Sequence, residues 1–270
     1  MSKALATPKA LLTYQAACKK RFVELIGQMP QKSPLNVQMT GSLPQQGYRV
    51  DKLIYESFLN HHVTASLYVP EGKGKFPAVL IMCGHEAEAK ATVSYQQTAM
   101  LLAKNGFEVL MVDPISQGER YQLTDKQGKP LTRGGTTEHT LLNAGSNLVG
   151  TSSVAYELWD NVRSLDYLLS RPEVDAARVG CLGNSGGATQ AGYLMAYDNR
   201  IKAAALCSYV LNSEHSLELT GPPDGCVEYP GEAKAQLEDE DYYTIFAPRS
   251  VIILAGRYDF VDYSLSLIHI

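Results

Sequence analysis

The 270-residue chain predicts one α/β domain built on a doubly wound, mostly parallel sheet. Three observations carry that expectation. Five apolar runs, at 78–82, 109–112, 179–182, 203–206 and 251–254, have the continuous character of parallel strands covered on both faces. Segments of helical spacing separate several of them. A Gly-x-Ser-x-Gly pattern, Gly183 to Gly187, stands where one of these runs gives way to a helix-like stretch.

In chain order, residues 7–29 read as a helix ended by Met29-Pro30, with Lys20 and Arg21 on the wet side and Phe22, Leu25 and Ile26 free to dock. Residues 1–46 together read as an N-terminal helical extension. Residues 48–58 and 62–69 alternate with the strand period and are joined by Leu59-Asn60-His61, an antiparallel pair that opens the sheet. The run at 78–82 is the first parallel strand. Tyr95, Ala99 and Leu102 then share a helix face before the stop at Asn105-Gly106, and the next strand is 109–112. Residues 114–150 form a connection far longer than such loops usually are, a candidate lid or an ordinary decorated loop. Leu158, Val162, Leu165 and Leu169 mark a further helix that stops at Arg171-Pro172, ahead of the strand at 179–182. Right-handed crossovers place the loops after these parallel strands along one edge, where such sheets hold ligands.

Composition narrows the function. A formal net charge of −4 with 19% charged residues leaves no basic footprint for nucleic acid or an anionic membrane surface. A small molecule or neutral polymer fits better as partner. The first 18 residues lack a signal-type apolar core and no run reaches membrane-spanning length, so the chain as given reads as cytoplasmic, with export open to a longer form carrying a signal segment. Of the five cysteines, Cys83, Cys181 and Cys207 fall in or beside apolar runs, as buried free thiols do. No disulfide framework is expected. Histidine and cysteine show no repeated ligand spacing, so neither a metal site nor any other cofactor is expected.

The chemistry centres on Ser185. In a G-x-S-x-G corner between strand and helix, flanking glycines permit a tight turn that lifts the serine hydroxyl above the sheet. A serine nucleophile needs a base, a carboxylate to orient the base, and N–H donors for the oxyanion. The N–H of Gly186 at the helix start supplies one donor and the loop after 78–82, Cys83-Gly84-His85-Glu86, the other.

Several segments together resemble the α/β-hydrolase superfamily, in its acetyl-xylan-esterase-like and dienelactone-hydrolase-like branch. They are Cys83-Gly84-His85, Asp113-Pro114 with Gln117-Gly118-Glu119-Arg120, Ser170-Arg171-Pro172-Glu173-Val174-Asp175, Gly183-Asn184-Ser185-Gly186-Gly187, and Ala247-Pro248-Arg249. The resemblance implies Ser185 as nucleophile, the N–H groups of His85 and Gly186 as oxyanion hole, and Asp259 as the acid. Topology also favours Asp259, since an aspartate just after the run at 251–254 shares the sheet edge with the serine. Asp262 and Glu214 are alternatives. The side chain of His85 is expected to line the pocket or satisfy a polar neighbour rather than act as base. His139, in the long connection, is a candidate to reach substrate, whereas His61, His62 and His215 read as ordinary histidines.

The catalytic histidine of this fold follows the acid by roughly 30 residues, about one strand-helix-strand unit. Only eleven residues follow Asp259, and His269 stands ten positions on. Residues 264–270 also lose the family's pattern. The expectation is therefore a C-terminally truncated, inactive chain lacking the last helix-strand unit and the base. The reading is a serine carboxylester hydrolase for acetyl or short acyl groups on a carbohydrate such as xylan. Dienelactone-hydrolase or peptidase activity, and a non-catalytic binding module on the same scaffold, are the competing readings.

Overall fold

The computed structural model describes residues 7–209, 217–218, 221 and 223–256. Asp259, Asp262, Glu214, His215, His269 and the segment 264–270 lie outside the described residues.

Eight strands form one sheet in the order β1-β2-β3-β5-β4-β6-β7-β8. They are β1 Gln38–Gln45, β2 Tyr48–Phe58, β3 His61–Pro70, β4 Phe76–Met82, β5 Glu108–Val112, β6 Val174–Asn184, β7 Ala203–Cys207 and β8 Ser250–Leu254. The first three are antiparallel neighbours, β3 meets β5 antiparallel, and β5, β4, β6, β7 and β8 run parallel. The helices are α1 Pro8–Ile26, α2 Val93–Lys104, α3 Gly135–Leu148, α4 Ser153–Ser170, α5 Gly186–Tyr197 and α6 Asp239–Phe246. No described helix is long and apolar enough to cross a membrane.

The continuous apolar runs have a direct cause in the two faces of the sheet. Along β4 and β5, Leu80, Met82, Leu110 and Val112 enter the core shared with α1, α4, α5 and α6. The alternating residues Val79, Ile81, Val109 and Met111 meet Tyr95, Ala99 and Ala103 of α2 on the other face. Neither face of these strands is wet, so no polar residue interrupts the run.

Helix α1 is fixed at both ends by local chemistry. The Thr7 hydroxyl accepts the Ala10 N–H at 3.1 Å and Pro8 occupies the first turn, where no N–H is needed. The helix ends at Gly27, with φ 82°, rather than at Met29-Pro30, because a glycine can take the positive φ that stops a helix. Cys18, Phe22 and Ile26 share one buried stripe. The Phe22 ring packs among Tyr193 of α5, Tyr229, and Tyr242 of α6, with centroids 5.2 to 5.9 Å apart. Arg21 is not simply on the wet side: its guanidinium donates to the Ala235 carbonyl at 2.7 Å.

Two further expectations change. The segment before residue 46 is not only helical, because β1 lies there as an edge strand. It is exposed along nearly its whole length, so it has no apolar alternation to announce it, and its pairing with β2 defines it. The connection 114–150 is not one loop. It folds as a turn at 116–120, a bridge between Thr124 and Pro130, and helix α3 with Glu138 and His139 buried.

Phe22→Ala is expected to remove about 3–5 kcal/mol of stability, measured by urea unfolding, because the aromatic cluster cannot close over the space left. A loss below about 1 kcal/mol would mean that α1 is not part of the core.

A second expectation concerns pH. Burial pushes the Glu232 carboxyl up to about 8, against the hydrogen bond it accepts from Tyr242, with the Asp239 charge adding to the rise. The folded protein therefore holds a proton there that the unfolded chain loses near 4.5. Its contribution to stability is present below 4.5 and lost as pH rises toward 8. Glu232→Gln, followed by urea unfolding across this window, should flatten the decline; an unchanged slope would assign the decline to other groups.

Candidate active site

Ser185 sits in the corner between β6 and α5 with φ 54° and ψ −129°, a conformation that is strained for any residue with a side chain. Its N–H is tied to the Cys207 carbonyl at 2.8 Å, and its carbonyl accepts from Ala188 at 2.7 Å. The strain is thus held by β7 on one side and by the first turn of α5 on the other. Gly186 is the first residue of α5, so its N–H has no partner within the helix.

The glycines are required by close backbone approach. A Cβ on Gly183 would lie 1.9 Å from the Gly187 carbonyl oxygen, and one on Gly187 would lie 2.2 Å from that of Met82. At Gly84 it would meet the Asn184 carbonyl oxygen at 2.4 Å and the Ser185 Cβ at 3.0 Å. The loop after β4 is therefore pressed directly against the elbow. It brings His85 beside Gly186, where an added Cβ would lie 2.6 Å from the imidazole.

Residues 113–120 hold that loop in place. The buried Gln117 amide donates to the Gly84 carbonyl at 2.5 Å and to the Glu86 carbonyl at 2.7 Å, and the Gly118 N–H donates to Ala87 at 2.9 Å. Gly84 N–H in turn donates to the Tyr95 hydroxyl at 2.6 Å. The Asp113 carboxylate is fully buried, accepting from Thr64 Oγ1 at 2.6 Å, from the Lys90 N–H at 3.1 Å, and from the Lys90 ammonium. Arg120 donates to the Asp113 carbonyl at 2.9 Å, the His62 carbonyl at 2.9 Å and Asp160 at 2.7 Å. These side chains position the loop; their own polar atoms are spent on the scaffold.

Of the site residues read from the sequence, Ser185, Gly186 and His85 meet at one point. Asp259 is outside the described residues. Three residues join His85 that the sequence reading did not group with it: His139 of α3, and Asp224 and Cys226 in the segment before α6. His85 Nε2 is 2.9 Å from Cys226 Sγ and 3.5 Å from an Asp224 oxygen, and Cys226 Sγ is 2.8 Å from the other Asp224 oxygen. His139 Nδ1 faces that same oxygen at 3.7 Å. Burial pulls the His85 pKa down, only partly countered by Asp224. His139 is raised, since Asp224 and Glu157 outweigh the effect of its burial. For Asp224, burial is overcome by the two histidines and the carboxyl is held at about 2. Burial raises the Cys226 thiol well above its usual range, helped by the Glu157 and Asp224 charges. His139 alone carried a sequence signal, its place in the long connection. Asp224 and Cys226 had none, because their histidine partners are 85 to 141 positions away.

A cleft of about 820 Å³ between β1–β3 and α2 includes neither Ser185 nor His85 in its lining. It is open to solvent beside Tyr48, Tyr68 and Met100, and the convergence of polar groups lies at the elbow instead.

Residues 30–220 match the model of the acetyl xylan esterase family, AXE1. The chain belongs to that family. YtaP of Bacillus subtilis (strain 168), a protein named as a hydrolase, is 27% identical over 91% of this chain and 81% of its own length. Solved structures share the fold, two of them as follows. BF1801 of Bacteroides fragilis NCTC 9343, named as an acetyl xylan esterase, superposes with a TM-score of 0.77 at 17% identity over 92% of this chain and 68% of that one. Acetyl xylan esterase 1 of Thermoanaerobacterium sp. JW/SL YS485 does so with a TM-score of 0.57 at 18% identity, over 91% and 78%. At these identities the likeness is one of fold, and it places the family's α/β-hydrolase architecture on this chain. The family match carries the coarser functional statement: the chain is a hydrolase of the carbohydrate-esterase kind.

Paired glycine substitutions test the elbow. Gly187→Ala is expected to cost about 3 kcal/mol or more in urea unfolding, since its Cβ would strike the backbone of β4. Gly192→Ala, five residues along the same helix, meets only Leu206 at 3.7 Å and should be neutral or stabilising by up to about 1 kcal/mol. Equal effects at the two positions would contradict the close approach.

Proposed function

We propose that the chain is a serine carboxylester hydrolase that removes acetyl or other short acyl groups from a carbohydrate such as xylan. The observation that carries this reading is the strained Ser185 at the β6–α5 corner, with the first N–H of α5 and the His85 loop packed beside it. The Ser185 hydroxyl gives its proton to a histidine base as its oxygen attacks the ester carbonyl, and the developing oxyanion accepts from the N–H groups of Gly186 and His85. A helix N-terminus and a braced loop suit that task, because the donors need no rearrangement as charge appears. Collapse of the tetrahedral intermediate breaks the bond to the sugar oxygen, which takes the proton back from the base and leaves as the alcohol, and water deprotonated by the same base then releases the acid. Asp259 is assigned as the carboxylate that orients the base, following the Ser, acid, His chain order of the fold. The family match and the names of the relatives support an acetylated carbohydrate as the substrate class.

In the full-length protein, Ser185→Ala should lower turnover of p-nitrophenyl acetate, and acetate release from acetylated xylo-oligosaccharides, by on the order of 10⁴-fold or more. Asp259→Asn should fall by a comparable factor in kcat, because the base loses its orientation. Turnover that survives Ser185→Ala overturns the serine mechanism. Near wild-type activity in Asp259→Asn moves the acid to Asp262 or Glu214.

A further inference from the structure

We propose that His85, His139, Asp224 and Cys226 form a binding site for a borderline-soft divalent cation of the zinc class. One donor atom from each residue, two imidazole nitrogens, a thiol sulfur and a carboxylate oxygen, lies within 4.8 Å of all the others. Ligand atoms around a tetrahedral zinc ion at the usual bond lengths stand about 3.3–3.8 Å apart. Of the observed separations, 3.5 and 3.7 Å fall within that range, and 2.8 and 2.9 Å, both to Cys226 Sγ, fall below it, so a small outward movement of Cys226 would open the shell to an ion.

The state of His139 supplies an independent reason. Its Nε2 is 2.7 Å from the Ile115 carbonyl, which can only accept, so Nε2 carries a hydrogen. In the neutral ring Nδ1 is then a bare lone pair. That nitrogen is buried, has no hydrogen-bond partner, and is aimed at an Asp224 oxygen that also can only accept. Two acceptors facing each other in a buried site require a cation between them or a proton on the ring. The Ile115 contact is also the outer bond that metal-binding histidines habitually make, and the Glu157 carboxylate stands a further 3.8 Å from Nε2.

Charge and geometry agree with a divalent ion. One thiolate and one carboxylate cancel two positive charges, leaving a neutral buried assembly; binding would release the Cys226 proton. Sulfur with imidazole favours zinc over calcium or magnesium, which prefer oxygen. The ligands are also held before any ion arrives. A Cβ on Gly225 would lie 2.4 Å from Asn143 and 2.6 Å from the His139 carbonyl oxygen, so the Asp224-Gly225-Cys226 turn is seated against α3. An ion here would tie the loop after β4, helix α3 and the segment before α6 together beside Ser185. The expectation of no metal site rested on spacing along the chain, and these ligands are gathered only by folding.

The test uses the chelator-treated full chain without substrate, so its outcome is separate from the esterase reading. Zinc alone should bind one ion per chain with a Kd tighter than about 1 μM and raise the thermal midpoint. Cobalt(II) in its place should give a thiolate-to-cobalt charge-transfer band and visible absorption of tetrahedral strength. Cys226→Ser should abolish the charge-transfer band, and His139→Gln should weaken zinc binding by more than the roughly 10–100-fold that loss of an outer partner costs. Cys18→Ser and Ser185→Ala should bind as the parent does. Metal-free melting of each variant shows whether it is folded, and zinc should raise the midpoint of the parent but not of a folded Cys226→Ser. Absence of stoichiometric binding by the folded parent overturns the site and leaves a proton-held histidine–aspartate–cysteine network. Cobalt binding without the charge-transfer band, or unaltered by Cys226→Ser, overturns it as well.

Discussion

The backbones of residues 183–187 and 82–84 approach so closely that no side chain fits between them, and the rest of the site is arranged around that contact. Gly84 and Gly187 each leave out a Cβ that would stand within 2.4 Å of a carbonyl oxygen across that contact, and Gly183 one that would stand 1.9 Å from the Gly187 oxygen within the elbow. The approach has two consequences. It leaves the unfavourable backbone of Ser185, held by β7 and the first turn of α5, directly against the loop after β4, and it sets that loop beside the helix N-terminus. The proposed esterase chemistry calls for a nucleophile and two N–H donors within one carbonyl's reach, and this packing supports that reading by setting the loop after β4 and the start of α5 beside Ser185.

Holding such a contact requires polar groups to be buried behind it, and each is satisfied at a cost that favours one arrangement. Gln117 caps two carbonyls of the β4 loop, while Asp113 gathers donors from β3 and the turn containing Lys90. Arg120 spans the carbonyls of Asp113 and His62 and the carboxylate of Asp160. Asp113, Gln117 and Arg120 belong to the segments by which the sequence resembles its family. In the folded chain they are braces. A buried aspartate or arginine left with half its partners would be strongly destabilising, so the network forms only with the loop in place.

The same loop serves a second group of side chains. The His85 ring lies beside Gly186 of the elbow and within reach of Asp224 and Cys226, so one side chain faces both. Coupling of this kind is mechanical: what fixes the imidazole also fixes the adjacent peptide. Helix α3 joins through His139, which makes the connection between β5 and α4 part of the site's wall.

What the sequence determined by itself was whatever depends on near neighbours. Apolar runs bounded by turn residues located β4 to β8, because each run is legible on its own strand; burial on both faces accounts for β4 and β5, whereas β8, expected to be covered on both faces, leaves Val251, Ile252 and Leu254 exposed among the described residues. Gly183 to Gly187 disclosed the elbow for the same reason: a tight turn is a property of five consecutive residues. Elements without a private signature were illegible. Strand β1 is exposed and is defined by its ladder with β2, and α3 begins with Gly135-Thr136-Thr137 and carries little apolar surface of its own. The tertiary structure alone decided that Gln117 and Arg120 brace the site, and that residues 85, 139, 224 and 226 meet. Those relations join positions far apart in the chain, and folding, not spacing, sets the distances between them.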